Sequence, residues 1–417
     1  MAPTFLRRAG NGGLRPARRR RRHRPSLAAA PPLLALALAL ALAPAPARCG
    51  RAPNFIPALS AAVWFSGRCS RNAADGSVSF DWLCTAHVNV QGASFVRARL
   101  NATGGARARF SATLDGAYEA SSFYVGAPDD APTPSSPSSF LVASGGLGPQ
   151  PRLLQLRNVP EPAMAGVGPG AFFTLSGFET DGTAASPSPS ARSIELVGDS
   201  ISAGFGSRGS AARALQCNDV DINNSGQTYT YGQLLADAFS ADLSNVAWSC
   251  KGMLANGCGD EGETMPQLYR QTFAGRAAAG ADAWPFASAP SLLLINLGTN
   301  DMQHESPEFD KNLTREFVAF ILNATVLYRA PALPVALMYG PMACGSAPLN
   351  QTLHDAIAEV NARGGNAFFV SVCGAAQDGG CGHPGVAGHA QMAARAAPVI
   401  AAKLNWALPP PLEPASP

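Results

Sequence analysis

Among the nine cysteines of this 417-residue chain, no two are spaced as CxxC. Without that spacing the chain has no sequence mark of a structural zinc site. No metal and no cofactor is expected. Charged residues are also scarce, at 14% of the chain. The formal net charge of +3 misleads, because much of the positive charge is crowded at the extreme N-terminus, at Arg7, Arg8, Arg15 and the cluster from Arg18 to Arg24. Without those residues the remainder is mildly acidic, which leaves no case for a nucleic-acid surface. Beyond the N-terminal segment no run is long and apolar enough to cross a bilayer.

What the chain has in quantity is apolar residues, at 47%, ample for burying a core. Its length suggests two domains once the ends are trimmed. Residues 1–48 read as a basic stretch, the Leu/Ala run from Leu33 to Ala43, then Pro44-Ala45-Pro46-Ala47. A positive region, a short apolar core and small residues form the pattern of a secretory signal. An uncleaved anchor is the alternative, disfavoured by the short run and by Pro31-Pro32 before it. No stable membrane insertion is expected otherwise. The expected location is extracellular or the lumen of the secretory pathway.

Cysteine usage agrees. Setting aside Cys49 at the signal boundary, eight remain, an even number suited to disulfides. Cys69 and Cys84 pair by location, since neither has another partner in the first domain. Connectivity among the other six is not readable. A pairing of Cys373 with Cys381 would close a small loop. Sequons at Asn101, Asn223, Asn312, Asn323 and Asn350 fit passage through the endoplasmic reticulum.

Residues 55–183 read as an all-β sandwich. Val78 to Trp82, Ala86 to Val90 and Phe95 to Leu100 alternate, with turns such as Asp75-Gly76 and Asp115-Gly116 between runs. Pro132 to Ser139 reads as a Pro/Ser loop. Residues 184–191 are a second Pro/Ser stretch, taken as the linker. Over residues 192–406 the pattern changes. Apolar strands recur at Ile194–Val197, Leu243–Trp248, Leu292–Asn296, Val335–Tyr339 and Ala367–Val372. Helical patterns run from Tyr229 to Phe239, Pro307 to Tyr328, Asn350 to Ala362 and Gly385 to Leu404. This alternation gives a five-stranded parallel sheet with helices on both faces. Residues 407–417 are a Pro-rich tail.

In such a sheet, ligands bind beyond the carboxyl ends of the strands, where strand order reverses. For five doubly wound strands that point lies between the first and the third. Gly198-Asp199-Ser200 follows the first strand here, and Gly298-Thr299-Asn300-Asp301 follows the third. His383-Pro384 opens the last helix. A serine, an amide and a histidine suit acyl transfer. Ser200 is the candidate nucleophile and His383 the candidate base. The oxyanion donors would be the backbone N–H groups of Ser200 and Gly252 and the Asn300 side chain. His389 is the second candidate base. Asp199 and Asp301 read as structural acceptors of turn N–H groups. Trp284, Tyr229 and Trp248 read as core before they read as sugar platforms.

These segments resemble the SGNH (GDSL-type) hydrolases, whose successive blocks are matched by Gly198-Asp199-Ser200, Ser249-Cys250-Lys251-Gly252-Met253, Gly298-Thr299-Asn300-Asp301 and His383-Pro384. Gly67-Arg68, Phe80-Asp81-Trp82, Leu114-Asp115-Gly116 and Phe178 to Gly182 are similar to the sandwich that precedes the hydrolase domain in carbohydrate esterase family two. The resemblance implies a three-layer α/β/α, flavodoxin-like domain after a jelly-roll-like sandwich. It further implies a secreted serine esterase acting on an acetylated carbohydrate substrate. A lipase or thioesterase for longer acyl chains and an inactive carbohydrate-binding protein are the alternatives. One departure concerns the acid. SGNH enzymes usually carry an aspartate three residues before the histidine, and that position is Gly380. Asp378 lies five residues before it. Either Asp378 folds back to the imidazole, or the site is a Ser–His dyad with a backbone carbonyl fixing the ring tautomer.

Overall fold

The computed structural model describes residues 52–126, 138–162, 164–166, 171–208, 216–276 and 283–408. The N-terminal signal segment, positions 132–137 of the Pro/Ser loop and most of the C-terminal tail lie outside those residues. Twelve strands come first in the chain: β1 (Asn54–Pro57), β2 (Trp64–Gly67), β3 (Ser70–Asn72), β4 (Ser77–Phe80), β5 (Cys84–Gln91), β6 (Phe95–Ala102), β7 (Ala108–Leu114), β8 (Ala117–Val125), β9 (Ser138–Ser144), β10 (Arg152–Asn158), β11 (Phe173–Thr180) and β12 (Thr183–Ala185). They form two antiparallel sheets, ordered β3-β4-β11-β6-β9 and β12-β5-β10-β7-β8, with β1 on β11 and β2 on β5. Alternation builds the layer between them. In β6, Val96, Ala98 and Leu100 are fully buried while Arg97 and Arg99 between them are exposed. Phe110 of one sheet meets Phe80 and Phe173 of the other, ring edge to ring face. Ala184 and Ala185, read as linker, instead pair with Val90 and Asn89 at the edge of β5.

The parallel sheet holds β13 (Arg192–Gly198), β14 (Ala241–Ala247), β15 (Leu292–Asn296), β16 (Pro334–Tyr339) and β17 (Asn366–Ser371). Its order is β14-β13-β15-β16-β17, so the reversal falls between the first and third strands of this sheet. The strands are continuous apolar runs because both faces are covered. Val197, Leu293, Ile295, Val335 and Leu337 pack with α4 (Pro307–Leu327) and α5 (Ala347–Ala362). Ile194, Leu196, Leu292, Leu294, Ala336 and Met338 pack on the other face with α2 (Tyr231–Ala238) and α6 (Val386–Leu404). This is the three-layer α/β/α arrangement. The remaining helices are short: α1 (Ser200–Ala203) and α3 (Met265–Leu268).

The sandwich is fastened to the parallel sheet by buried polar groups. Arg68, at 0% exposure, donates from Nη1 to the Tyr269 and Gln271 carbonyls at 2.6 and 2.7 Å. Its Nη2 lies 3.5 Å from Glu195 of β13, which is itself 2% exposed. Glu195 also accepts from the Tyr269 and Tyr328 hydroxyls at 2.6 and 2.7 Å. Rings of Tyr269, Trp284 and Phe286 surround the guanidinium. Asp81, 1% exposed, accepts from the Ala274 N–H at 2.7 Å. Burial pushes its carboxyl up to about 8, so it is largely protonated at neutral pH. Trp82 and Leu83 beside it enter the two hydrophobic layers of the parallel sheet.

Removing one partner of a buried ion pair leaves the other charge uncompensated. Arg68→Met is therefore expected to destabilise the protein by about 3–5 kcal/mol. Urea unfolding of the purified variant measures this. A loss below about 1 kcal/mol, as for a surface pair, would contradict the assigned role.

Candidate active site

Three loops meet at the carboxyl end of the parallel sheet. β13 ends in Gly198, and the chain turns at once into α1. Asp199 caps this helix, its Oδ1 accepting from Ile201 N–H at 3.0 Å. A Cβ at position 198 would fall 2.0 Å from the Ser202 hydroxyl, so the tight strand-to-helix turn requires glycine there. Ser200 is thereby held at the first helical position with its side chain turned to the rim. The Oγ lies 2.8 Å from Nε2 of His383. His383 reaches it from a loop of three glycines and one cysteine, 379–382, just before α6. The loop is pinned by Gly380 N–H to the Gly206 carbonyl at 2.9 Å and by Gly379 N–H to the His383 carbonyl at 2.8 Å.

Nδ1 of His383 lies 3.2 Å from the Cys381 carbonyl. A carbonyl can only accept, so this contact puts the proton on Nδ1 and leaves the Nε2 lone pair for the Ser200 hydroxyl. Asp378 does not face the ring. Its Oδ1 accepts from the Gly385 and Gly388 N–H groups at 2.9 and 3.1 Å. The expectation that it folds back to the imidazole is corrected, because the start of α6 claims its carboxylate. His383 is 8% exposed, and the Phe205 ring lies 4.9 Å from it, centroid to centroid. Burial lowers its pKa below the ordinary histidine value, against the opposing effect of the Cys381 and Gly380 backbone groups.

The second block forms a rigid loop. Asp301 accepts from the Met253, Leu254 and Ala255 N–H groups at 2.8, 2.7 and 2.9 Å. A Cys250–Cys258 disulfide closes the same loop. Asn300 donates from Nδ2 to the Lys251 carbonyl at 2.9 Å, with a longer 3.5 Å approach to Asp199. Gly252 sits otherwise than expected. Its N–H donates to Asn256 Oδ1 at 3.1 Å, so this amide already has a partner within its own loop. A Cβ there would lie 1.8 Å from the Ala255 carbonyl oxygen, which makes packing the reason for glycine. Asp199, fully buried with Asp301 nearby, is pushed up to about 7 by desolvation first and that like charge second.

Residues 196–391 match the GDSL-like Lipase/Acylhydrolase family. Over these residues, which hold the parallel sheet and its helices, the chain is similar to SGNH-type hydrolases. A curated relative is the "Cellulase/esterase CelE" of Acetivibrio thermocellus, 28% identical over 233 residues, which is 53% of this chain. The match spans 27% of that protein's length. A carbohydrate esterase family two enzyme of Corynascus thermopiles, solved with a carbohydrate-binding domain, is 27% identical, with a TM-score of 0.64 over 82% of this chain and 100% of that one. A family two carbohydrate esterase from Clostridium thermocellum, in complex with cellohexaose, shares the fold with a TM-score of 0.70 at 22% identity, over 83% of this chain and 100% of that one.

Other sequence candidates lie outside the crevice of this hydrolase. His389 is fully buried inside α6, accepts from Tyr231 N–H at 3.3 Å and is lowered to about 3 by burial, so it is not a second base. His304 Nε2 donates to the Asn256 carbonyl at 3.1 Å, bracing the second block. Tyr229 is 7% exposed, and Trp284 packs against Arg68. Two disulfides depart from the expected pairing. Cys381 is joined to Cys217, and Cys373 to Cys344, whereas Cys69–Cys84 forms as expected. One residue had no site signal in the sequence. Glu161 of the sandwich, 2% exposed, accepts from the backbone N–H and hydroxyl of Ser249 in the second block. Burial raises its carboxyl to about 7. Its one sequence mark is a charge set between Pro160 and Pro162.

In ¹⁵N-histidine NMR, the His383 ring is expected to titrate with a midpoint below the ordinary 6.5. It is then neutral, and able to accept a proton, at neutral pH. A midpoint at or above that value would contradict the desolvated setting.

Proposed function

We propose that this chain removes O-acetyl groups from a polysaccharide or oligosaccharide through a Ser200–His383 dyad. The observation that carries the reading is the 2.8 Å contact between Ser200 Oγ and His383 Nε2 at the strand-order reversal. In this reading His383 takes the hydroxyl proton as Ser200 Oγ bonds to the acetyl carbonyl carbon. The carbonyl oxygen becomes an oxyanion. The Ser200 N–H and the Asn300 amide receive it. A primary amide has two hydrogens: the Lys251 carbonyl takes one at 2.9 Å, and the other would turn to the oxyanion from its long 3.5 Å contact with Asp199. The tetrahedral centre collapses, the sugar C–O bond to the acyl carbon breaks, and His383 returns its proton to the leaving alcohol. Water then repeats the sequence on the acetyl-enzyme and releases acetate. Gly252 can join the oxyanion donors only by giving up Asn256.

Carbohydrate as substrate is supported by the family two esterases of the same fold, one of them solved with cellohexaose. Two other structures of this fold are described as an acetyl xylan esterase from Butyrivibrio proteoclasticus and an esterase with catalytic and non-catalytic binding functions. Passage through an oxidising compartment is supported by four disulfides. Among the described residues no helix is long and apolar enough to cross a membrane.

Purified protein is expected to hydrolyse a chromogenic acetate and to release acetate from an acetylated xylan or glucan. Ser200→Ala should cut kcat by about 10³-fold or more while circular dichroism stays unchanged. Full activity in that variant would remove Ser200 as nucleophile. Faster cleavage of octanoate than acetate would move the enzyme to the lipases, and glycan binding without acetate release would make it a binding protein.

A further inference from the structure

The orientation of the base rests on one backbone carbonyl, and the loop that carries it is rich in glycine. Gly379, Gly380 and Gly382 surround Cys381. Glycines give the chain many accessible conformations. The direction of the Cys381 carbonyl follows from the backbone angles of Cys381 itself. Those are φ 56° and ψ 32°, the left-handed region, which a residue with a Cβ enters at a cost and cysteine does not favour. The surrounding structure must therefore hold it there. Three backbone hydrogen bonds hold the loop, from Gly379 N–H to the His383 carbonyl, from Gly380 N–H to the Gly206 carbonyl and from His383 N–H to the Gly380 carbonyl, and none of them involves the Cys381 peptide groups. The side chain of Cys381 supplies a further anchor. It is bonded to Cys217, 164 residues earlier, in the short 3₁₀ turn Cys217–Asp219.

We propose that the Cys217–Cys381 disulfide is the positioning element that does, in this site, the work of the missing acid. It holds Cys381 in the left-handed conformation that aims its carbonyl at Nδ1, and so fixes His383 as the tautomer whose Nε2 faces Ser200. The inference rests on the Ser200–His383 reading. Cys217 and Cys381 act through the ring and touch no reacting atom. The crosslink reaches the loop from a segment following the nucleophile turn, and the same loop docks on that turn through Gly380 and Gly206. The bond thus fastens the segment that follows Ser200 to the loop that precedes His383. Asp378, free of the ring, is left to fasten the start of α6.

The test compares Cys217→Ser with Cys69→Ser/Cys84→Ser, which opens the sandwich disulfide. The first is expected to lower kcat on a chromogenic acetate by about 10- to 100-fold, with KM within about twofold of the parent. The control pair should retain kcat. ¹⁵N NMR of the His383 ring should show one tautomer in the parent and an averaged pair of tautomers in Cys217→Ser. Unchanged kcat and an unchanged ring spectrum in folded Cys217→Ser, even with a lower melting temperature, would make the crosslink merely structural and overturn the proposal. If that variant does not fold, the bond is opened in the folded parent with a phosphine reductant. Alkylation and peptide mapping then identify the opened bond, and the same loss of kcat must track the opening of Cys217–Cys381. Loss that tracks another disulfide would equally overturn it. Ser200→Ala separates the two levels. If it keeps activity, the dyad reading has failed. If it is inactive while Cys217→Ser is fully active, this inference alone has failed.

Discussion

Strand β13 leads into Ser200, the proposed nucleophile, and its middle is fixed by a charge pair sealed from water. Glu195, five residues before Ser200, is held by Arg68 of the sandwich and by two tyrosine hydroxyls. Two buried charges are costly to desolvate, and such a pair is held best when its remaining hydrogen-bonding capacity is satisfied. Here backbone carbonyls take Nη1 of Arg68 and phenols donate to Glu195. Among the described residues Nε and Nη2 of Arg68 have no hydrogen-bond acceptor and rely on the nearby carboxylate and the surrounding rings. The pair does more for register than for raw stability. It sets which face of the sandwich meets the parallel sheet. It thereby brings Asp81 onto Ala274 and Glu161 onto Ser249. The hydrolase crevice is assembled partly from outside the hydrolase domain.

In the proposed dyad the acid is dispensed with. A carboxylate beside Nδ1 would fix the tautomer and also stabilise the imidazolium that forms during turnover. A carbonyl does the first and contributes less to the second. His383 is already disfavoured from charging by burial. In the proposed mechanism the ring is neutral at rest and gains its proton only transiently, with the oxyanion donors as the main electrostatic support. The rigidity of the second block fits this. Asp301 takes three consecutive backbone N–H groups, and Asn256 and a disulfide close the rest. A site that relies on fixed dipoles depends on their staying in place.

Much of this was readable in the residues. The five apolar strands of the parallel sheet fall within one or two positions of their places, since runs buried on both faces have an unmistakable composition. Ser200 and Asn300 lie where topology puts strand ends, and His383 lies just before the last helix. The sandwich strands were readable from alternation. What was not readable came from long-range partners. Asp378 looked available to the ring, yet α6 begins with unpaired N–H groups that a nearby carboxylate satisfies first. Gly252 looked open to substrate, yet its amide turns toward Asn256. Cys381 seemed close enough to Cys373, but a cysteine pairs by spatial approach, and both found other partners.

The sequence by itself determined the elements, their order and which residues stand at the strand ends, because hydrophobic period and turn residues are local properties. The tertiary structure alone decided which carbonyl steadies the imidazole, which cysteine restrains that carbonyl, and which sandwich residues brace the crevice. Those choices depend on distances between segments far apart in the chain, where several donors compete for one acceptor. Competition of that kind is settled by packing, and packing is not written in any single stretch of residues.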